Sequence, residues 1–521
     1  VNDKVWSPQQ EAVFEEFRTG RGHLVVRARA GTGKTTTVVH GVGLAPEKKV
    51  LMCAFNKAIA EELTRRITKV GVEAKTLHSV GFAFVRRQWG PTCRPDADRG
   101  FQLAQKVTGG PGVAPRPMVK LVAALAAKAK GCCPLAPTQG QLLDLMVRFD
   151  LEPDLEWEEE GWTPARVAQL AAKAMDAAAV PNTDMAGRPL PSTVDFDDML
   201  FVAVRQRLLR PWYDLVVVDE AQDMNATQIL IAQGVCRKGG RIIVVGDDRQ
   251  AIYGFRGADS RSIDRLKAEL SAKELPLTVT YRCPKDVVAL AQALVPDFHA
   301  APEAPRGKVR NFGLELLHAG KDVLPGDFVL SRTNAPLVTA CLRLLRAGVR
   351  ARIAGREIGK GILALIDRLH ARDLPDLSRA LVEWKRKEVL RVAGLCGDNE
   401  DLLEAKVQEL EDTVETLAAL TEGLSSIPEL KARVESLFAD DGRPSVVCST
   451  VHKAKGLEAE RVFVLADTIK AWTGTDEEAN IAYVAITRAK AELVLVYKTP
   501  PATVAVKPGD APAAATTAVQ S

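Results

Sequence analysis

Leu24-Val25-Val26-Arg27-Ala28-Arg29-Ala30-Gly31-Thr32-Gly33-Lys34-Thr35 is the stretch that decides the reading of this chain. A short apolar run passes into a glycine-rich loop, and a Lys-Thr pair opens a helix. Small residues let backbone N–H groups curl around an anion, and the helix N-terminus adds its partial positive charge. Lys34 has the reach to meet β- and γ-phosphates, and the Thr35 hydroxyl suits Mg²⁺. Ala30, Gly31, Thr32, Gly33 and Thr36 complete the expected cradle. The strict pattern has Gly at its first position, where this chain has Ala28.

A second segment supplies what such a loop needs for hydrolysis. Leu215-Val216-Val217-Val218 is an apolar strand that ends in Asp219-Glu220-Ala221-Gln222-Asp223. Asp219 at the strand tip is placed to hold Mg²⁺, and Glu220 to orient and deprotonate an attacking water. Acidic residues after a strand also occur in surface turns. Paired with the upstream loop, they point to an ATPase that uses ATP and Mg²⁺.

At 521 residues the chain exceeds one core, and two to four domains are expected. Its 46% hydrophobic and 26% charged content is that of an ordinary globular protein. A net charge of +4 is compatible with a local basic groove but does not argue for one. Nine cysteines include no Cys-x-x-Cys pair and no zinc spacing, so reduced thiols are expected. There is no secretory pattern and no twenty-residue apolar run, and a cytoplasmic or nucleoid-associated protein without membrane contact is expected. The sequence starts at Val1 rather than Met, which suggests a trimmed or renumbered start.

Apolar runs at Leu24–Ala28, Lys49–Ala54, Leu215–Val218 and Arg241–Val245 read as buried parallel strands. A second set follows at Asp327–Ser331, Val446–Ser449, Val462–Ala466 and Leu493–Tyr497. The expected fold class is therefore α/β, with two parallel-sheet lobes. Each lobe is interrupted by a mainly helical insertion, and no strand pattern appears between Phe84 and Leu190. Leu402, Val407, Leu410, Val414 and Leu417 suggest a helical hairpin within Asp376–Phe438. The expected division is 1–83 with 191–275 as a first lobe, and 84–190 as its insertion. A second lobe takes 276–360 with 444–499, its insertion is 361–443, and 500–521 is a disordered tail.

Further segments carry a family resemblance. Asp219-Glu220-Ala221-Gln222-Asp223 resembles the hydrolysis motif of superfamily 1 helicases. Val244-Val245-Gly246-Asp247-Asp248-Arg249-Gln250-Ala251-Ile252-Tyr253-Gly254-Phe255-Arg256-Gly257-Ala258 resembles the third motif of the UvrD/Rep/PcrA-like group. Leu277-Thr278-Val279-Thr280-Tyr281-Arg282 resembles its fourth, and Thr450-Val451-His452-Lys453-Ala454-Lys455-Gly456-Leu457-Glu458 its fifth. Tyr483-Val484-Ala485-Ile486-Thr487-Arg488-Ala489-Lys490 resembles its sixth, and the matches run in the family's order from Gln9 to Lys490.

The resemblance implies two RecA-like lobes, an ATP site completed by both, and a single-strand track. It implies that Gln9 reads the adenine edge, Tyr281 stacks on adenine and Glu458 bonds the ribose. From the residues alone, Tyr281 is equally a core aromatic. Gln250 would couple the γ-phosphate to the DNA-binding segment. Arg282 and Arg488 would be the cationic fingers that neutralise charge on the transferred phosphoryl group. The implied DNA contacts are Phe55, Asn56, Thr76, His78, Tyr253, Phe255, Arg332, Asn334, Thr450 and His452. Phe255 stands where a tryptophan is common, and base stacking on an aromatic contributes about 1–3 kcal/mol.

The implied activity is an ATP-dependent single-stranded DNA translocase and helicase moving 3′ to 5′. Its partners would be single strands and single/double-strand junctions, and its engine a monomer. RNA stays open as a substrate, because stacking does not distinguish the sugar. A protein–DNA remodelling ATPase with little unwinding is the competing class. The tail after Tyr497 is too short for a nuclease, and a small-molecule kinase would not need Arg282 and Arg488. Two further departures stand out. Arg29 occupies a position where relatives usually have Gly, and the second insertion is short and coiled-coil-like, suited to a small arm or a docking element.

Overall fold

The apolar runs become the central strands of two parallel sheets. The computed structural model describes residues 5–54, 57–153, 155–182, 192–252, 262–396, 400–469 and 476–499. By contacts the chain forms two units. The first comprises Val1–Ala28, Gly33–Leu277 and Arg386–Gln408, and the second Arg29–Thr32, Thr278–Lys385 and Glu409–Ser521.

In the first unit, β1 (Leu24–Ala28), β2 (Val50–Ala54), β3 (Val72–Thr76), β4 (Tyr213–Val218), β5 (Cys236–Gly246) and β6 (Lys273–Leu277) form a six-stranded sheet. Its order is β3-β2-β4-β5-β1-β6, with every pairing parallel. Strand side chains alternate between faces, so the sheet separates two cores. Val26, Met52, Val217 and Val245 pack with Phe17, Val38 and Leu63 on one face. Val25, Leu51, Val216 and Val244 pack with Val80, Leu200 and Ile231 on the other. Pro276 lies in edge strand β6, where a missing N–H costs no ladder bond.

Between β3 and β4 the helices Arg99–Val107, Arg116–Cys132, Gln139–Arg148 and Pro164–Ala178 bury a separate apolar cluster around Val122, Leu125, Met146 and Ala171. Arg94–Pro95 pairs with Thr193–Val194, a two-residue ladder that the sequence pattern does not announce. Arg386–Gln408 belongs to this unit too. Val392 and Leu403 meet Val147, and Arg391 Nη1 lies 3.4 Å from Glu152 Oε2.

In the second unit, β7 (Lys308–Gly313), β8 (Phe328–Ser331), β9 (Ala351–Ile353), β10 (Val446–Thr450), β11 (Ala459–Leu465) and β12 (Ala489–Tyr497) form another six-stranded sheet, in the order β7-β12-β11-β8-β10-β9. All its pairings are parallel. The expected α/β class with two parallel sheets is what the chain adopts. Within the second insertion, Leu374–Cys396, Glu400–Thr421 and Ile427–Leu437 form successive helices, and the first two make the expected hairpin, with Lys385 Nζ 3.0 Å from Glu411 Oε1. Pro428 at the start of the last fixes a helical φ, and Ser426 caps it through the Glu429 N–H. Among the described residues no helix is long and apolar enough to cross a membrane. The described cysteines are free thiols. The tail from Pro500 lies outside the described residues.

Candidate nucleotide and nucleic-acid site

Parallel pairing brings the C-terminal ends of β1, β4 and β5 to one edge of the first sheet, where α/β proteins bind ligands. β1 feeds the helix Lys34–Leu44, whose N-cap Gly33 is left-handed with φ 77°. Only glycine takes that conformation cheaply. Lys34 Nζ donates to Glu220 Oε2 at 3.0 Å, and Thr35 Oγ1 to Asp219 Oδ2 at 2.8 Å. Gln222 Nε2 donates to the same Glu220 oxygen at 2.7 Å. Glu220 itself has φ 52°, a left-handed backbone costing a non-glycine residue about 1–2 kcal/mol. After β5, Gln250 Nε2 donates to Asp247 Oδ2 at 2.7 Å, while Asp247 N–H donates to Gln222 Oε1 at 3.0 Å. One chain of bonds therefore runs from Lys34 through Glu220, Gln222 and Asp247 to Gln250.

The charges in this edge are interdependent. Burial alone would depress Lys34, but Glu220, Asp247 and Asp219 together raise it above the ordinary lysine range. Burial, and then the charge of Glu220, pushes Asp219 up. The Asp219 and Glu220 carboxylates therefore repel each other, and a cation bound here would relieve that repulsion. Among the described residues no cluster of three or more His, Cys, Asp or Glu side chains could hold a metal. One carboxylate and one hydroxyl fit Mg²⁺, which keeps waters and takes its remaining oxygens from phosphates. Asp219 and Thr35 are the residues that would hold it.

Gln9 lies on the helix Pro8–Thr19, which starts with a Ser7–Gln10 capping box and Pro8 at its first turn. Its neighbour Gln10 is buried and donates to Thr37 Oγ1 at 3.0 Å, tying that helix to the loop helix. Thr36 Oγ1 accepts from Arg66 Nη2 at 3.2 Å.

The second unit sorts its expected residues to two ends of its sheet. Glu458 and Arg488 directly precede β11 and β12, at the N-terminal edge. Arg282 Nε donates to Glu458 Oε2 at 2.7 Å with its side chain 22% exposed. Arg488 is buried, and it donates to the Val484 and Leu457 carbonyls at 2.9 and 3.1 Å and to Thr487 Oγ1 at 3.2 Å. Tyr281 is 47% exposed, so it is not a core aromatic. Its N–H donates to the Gly31 carbonyl at 2.9 Å. Within Arg29–Thr32, Ala30 N–H donates to Tyr483 Oη at 2.8 Å and Thr32 Oγ1 to the Arg29 carbonyl at 2.9 Å.

The residues read as DNA contacts follow strands at C-terminal edges. In the second unit, Arg332 and Asn334 follow β8, Thr450 closes β10, and His452 lies on the short helix Val451–Ala454 that follows it. Arg332 Nε donates to Glu478 Oε1 at 2.7 Å. Asn334 N and Nδ2 and Ala335 N all donate to Asp412, which neutralises the N-terminus of the helix Ala335–Arg346. Thr450 and His452 are both buried. In the first unit Thr76 caps the helix Leu77–Trp89 through Ser79 N–H at 3.2 Å. His78 stacks on Phe196, with ring centroids 3.7 Å apart and planes 21° from parallel. Burial holds the His78 imidazole down at about 4, so it is neutral at pH 7. Phe55, Asn56, Tyr253 and Phe255 lie outside the described residues.

Sequence reading missed Phe196, a residue that is 62% exposed. A signal was present: a lone aromatic among Asp195, Asp197 and Asp198 has no apolar face to join. Asp195 and Asp198 cap each other's backbone N–H at 3.1 and 2.7 Å, and Lys130 bridges both carboxylates at 2.9 and 2.7 Å. Phe196 is thus carried on a rigid turn. Asp412 was missed as well, because its partners are 77 and 78 residues away.

Residues 6–271 match the family model of the UvrD/REP helicase N-terminal domain, and residues 445–496 that of the UvrD-like helicase C-terminal domain. The chain is 26% identical to the ATP-dependent DNA helicase UvrD2 of Mycobacterium bovis, over 94% of this chain and 78% of that protein. It is 25% identical to the F-box DNA helicase protein 1 of Schizosaccharomyces pombe, over 95% of this chain and 58% of the other. The ATP-dependent DNA helicase PcrA of Staphylococcus epidermidis is 27% identical over 58% of this chain and 41% of its own length. Since the N-terminal model alone spans half of the chain and falls on the sheet that carries Lys34, Asp219 and Glu220, this protein belongs to the UvrD/Rep helicase family.

Proposed function

We propose that this chain is an ATP-dependent DNA helicase that moves along single-stranded DNA from 3′ to 5′. The observation that carries the reading is the edge of the first sheet, where Lys34 meets Glu220 and Thr35 meets Asp219 within 3.0 Å. Lys34 and the loop amides bind the triphosphate. Bound Mg²⁺ would supply charge neutralisation on the phosphate oxygens. Glu220 takes the proton of the attacking water, and Gln250, linked to it through Asp247 and Gln222, senses the phosphate side of the reaction. Arg282 and Arg488 of the second unit are the proposed fingers.

The division of roles within the second unit supports this reading. Glu458, Arg282 and Arg488 belong to one edge of its sheet, and Arg332, Asn334, Thr450 and His452 to the other. A motor needs that separation, so that nucleotide state and strand grip are linked through a stiff sheet rather than competing for one pocket. Tyr281 and Gln9 take the adenine in this scheme, and His78 with Phe196 offers a stacking surface to a base. We assign 1–83 with 191–275 and 276–360 with 444–499 as motor lobes, and 84–190 and 361–443 as their insertions.

The test is ATPase activity with and without single-stranded DNA or RNA, for wild type, Lys34→Ala and Glu220→Gln. Stimulation by single-stranded DNA that both variants lose is expected. Nucleic-acid-independent ATPase would sink the motor reading. Unwinding of 3′- against 5′-tailed duplexes checks polarity, and displacement of a bound protein without unwinding would favour the remodelling class.

A further inference from the structure

Arg29 has a partner. Most of a phosphate loop needs only small residues, yet the Arg29 side chain is 7% exposed and forks onto Asp297. Its Nε lies 3.0 and 3.1 Å from the two carboxylate oxygens, and its Nη2 2.8 Å from Oδ2. A planar guanidinium meeting a carboxylate through two nitrogens fixes orientation as well as distance.

The rest of the Arg29–Thr32 segment is tied at each position. Ala30 N–H is held by Tyr483 Oη, and the Gly31 carbonyl by Tyr281 N–H. Gly31 has φ +69°, and a Cβ there would lie 2.5 Å from both Arg282 Cβ and Thr280 Oγ1. Asp297 adjoins Phe298, which is fully buried and packs edge-on against the Tyr483 ring with centroids 5.4 Å apart. The carboxylate that holds Arg29 and the hydroxyl that holds Ala30 are therefore set by one packed pair of rings. In this group Arg29 supplies the charged, directional attachment.

We propose that Arg29 and Asp297 are a positioning pair that preorganises the phosphate loop for nucleotide. The proposal rests on the nucleotide-site reading above and deepens it. A loop already ordered loses less entropy when it closes on a phosphate. The fork spends Arg29 Nε and Nη2 on Asp297, so the pair acts on nucleotide affinity and leaves turnover of the bound complex alone.

The test titrates a fluorescent ADP analogue against the full chain and measures KM and kcat for ATP. The variants are Arg29→Ala, Arg29→Lys, Asp297→Asn, the double variant Arg29→Ala/Asp297→Asn, and Lys34→Ala. Arg29→Ala and Asp297→Asn are each expected to weaken nucleotide binding about fivefold, and the double variant no further than either alone. KM rises in proportion, and kcat changes by less than about twofold. Arg29→Lys keeps the charge but loses the fork, and it recovers only part of the affinity. Asp297 is half-exposed, so Asp297→Asn is the substitution the fold tolerates best and must reproduce the loss by itself. Additive losses, unchanged affinity in Asp297→Asn, or a loss confined to kcat would overturn the proposal. If Lys34→Ala abolishes binding while the Arg29 and Asp297 variants bind normally, the positioning pair fails and the nucleotide site stands. If Lys34→Ala binds normally, the site reading itself fails.

Discussion

Lys34 Nζ and Glu220 Oε2 lie 3.0 Å apart, so the cation of the phosphate loop and the proposed general base share one ion pair. Asp219 and Asp247 also act on that ammonium. Removing Lys34 would leave the Asp219, Glu220 and Asp247 carboxylates without their cation, whereas Glu220→Gln keeps the shape and the Gln222 contact.

The two variants should therefore differ. Glu220→Gln is expected to bind nucleotide normally and to lose about 10²–10⁴ in kcat, the range for general-base catalysis. Lys34→Ala should lose nucleotide binding as well. Titration of a nucleotide analogue beside steady-state ATPase separates them. Equal affinity in both variants would dissociate Lys34 from the phosphates.

Arg282 and Arg488 should also separate, because their surroundings differ. Arg282 is partly exposed and pairs with Glu458, so Arg282→Ala is expected to cut kcat about 10²–10³-fold with a small change in melting temperature. Arg488 is buried on two backbone carbonyls and a threonine hydroxyl. Arg488→Ala removes those three buried bonds, leaving the Val484 carbonyl only the Thr487 hydroxyl, and should cost about 2–4 kcal/mol of stability. Thermal melting with single-turnover hydrolysis checks both. Destabilisation without a catalytic defect in Arg488→Ala would assign that residue to packing rather than to the proposed finger role.

The eight strands legible in the sequence are the inner strands of the two sheets: β1, β2, β4 and β5 in one, and β8, β10, β11 and β12 in the other. The four that escaped, β3, β6, β7 and β9, are the edges. An inner parallel strand is covered on both faces and reads as a continuous apolar run. An edge strand such as Val72-Glu73-Ala74-Lys75-Thr76 is only half-covered and carries its charges within the strand. The site divides in the same way. Lys34, Thr35, Asp219 and Glu220 were legible because a local motif sets their backbone. The Arg29–Asp297, Asn334–Asp412 and His78–Phe196 pairs join positions 268, 78 and 118 residues apart, and no local pattern encodes such pairings.

An exposed Phe196 ring stacked on a neutral His78 presents a flat apolar surface on a turn fixed by Lys130, Asp195 and Asp198. Phe196→Ala should weaken stimulation of the ATPase by single-stranded DNA, raising the half-saturating concentration by about 5- to 100-fold, the equivalent of about 1–3 kcal/mol of stacking. Basal ATPase should hold. Phe196→Trp should retain the stimulation, and its loss there would argue against stacking.

Glu152 gives the first unit a pH-dependent stability. Its side chain is fully buried. Burial raises its carboxyl to about 7, against the opposing charge of Arg391 3.4 Å away and with the help of Asp150. Between pH 4.5 and about 7 the folded chain keeps a proton that the unfolded chain releases. The sign follows: this group's contribution to stability falls as pH rises through that window and is level above it. The loss amounts to about 3 kcal/mol at most. Glu152→Gln carries no such proton, so its stability should change less between pH 5.5 and pH 8 and should exceed that of wild type at pH 8. Urea denaturation of both proteins at the two pH values tests this. A wild-type chain whose stability difference from Glu152→Gln is the same at both pH values would mean that Glu152 stays ionised in the folded state, held by Arg391.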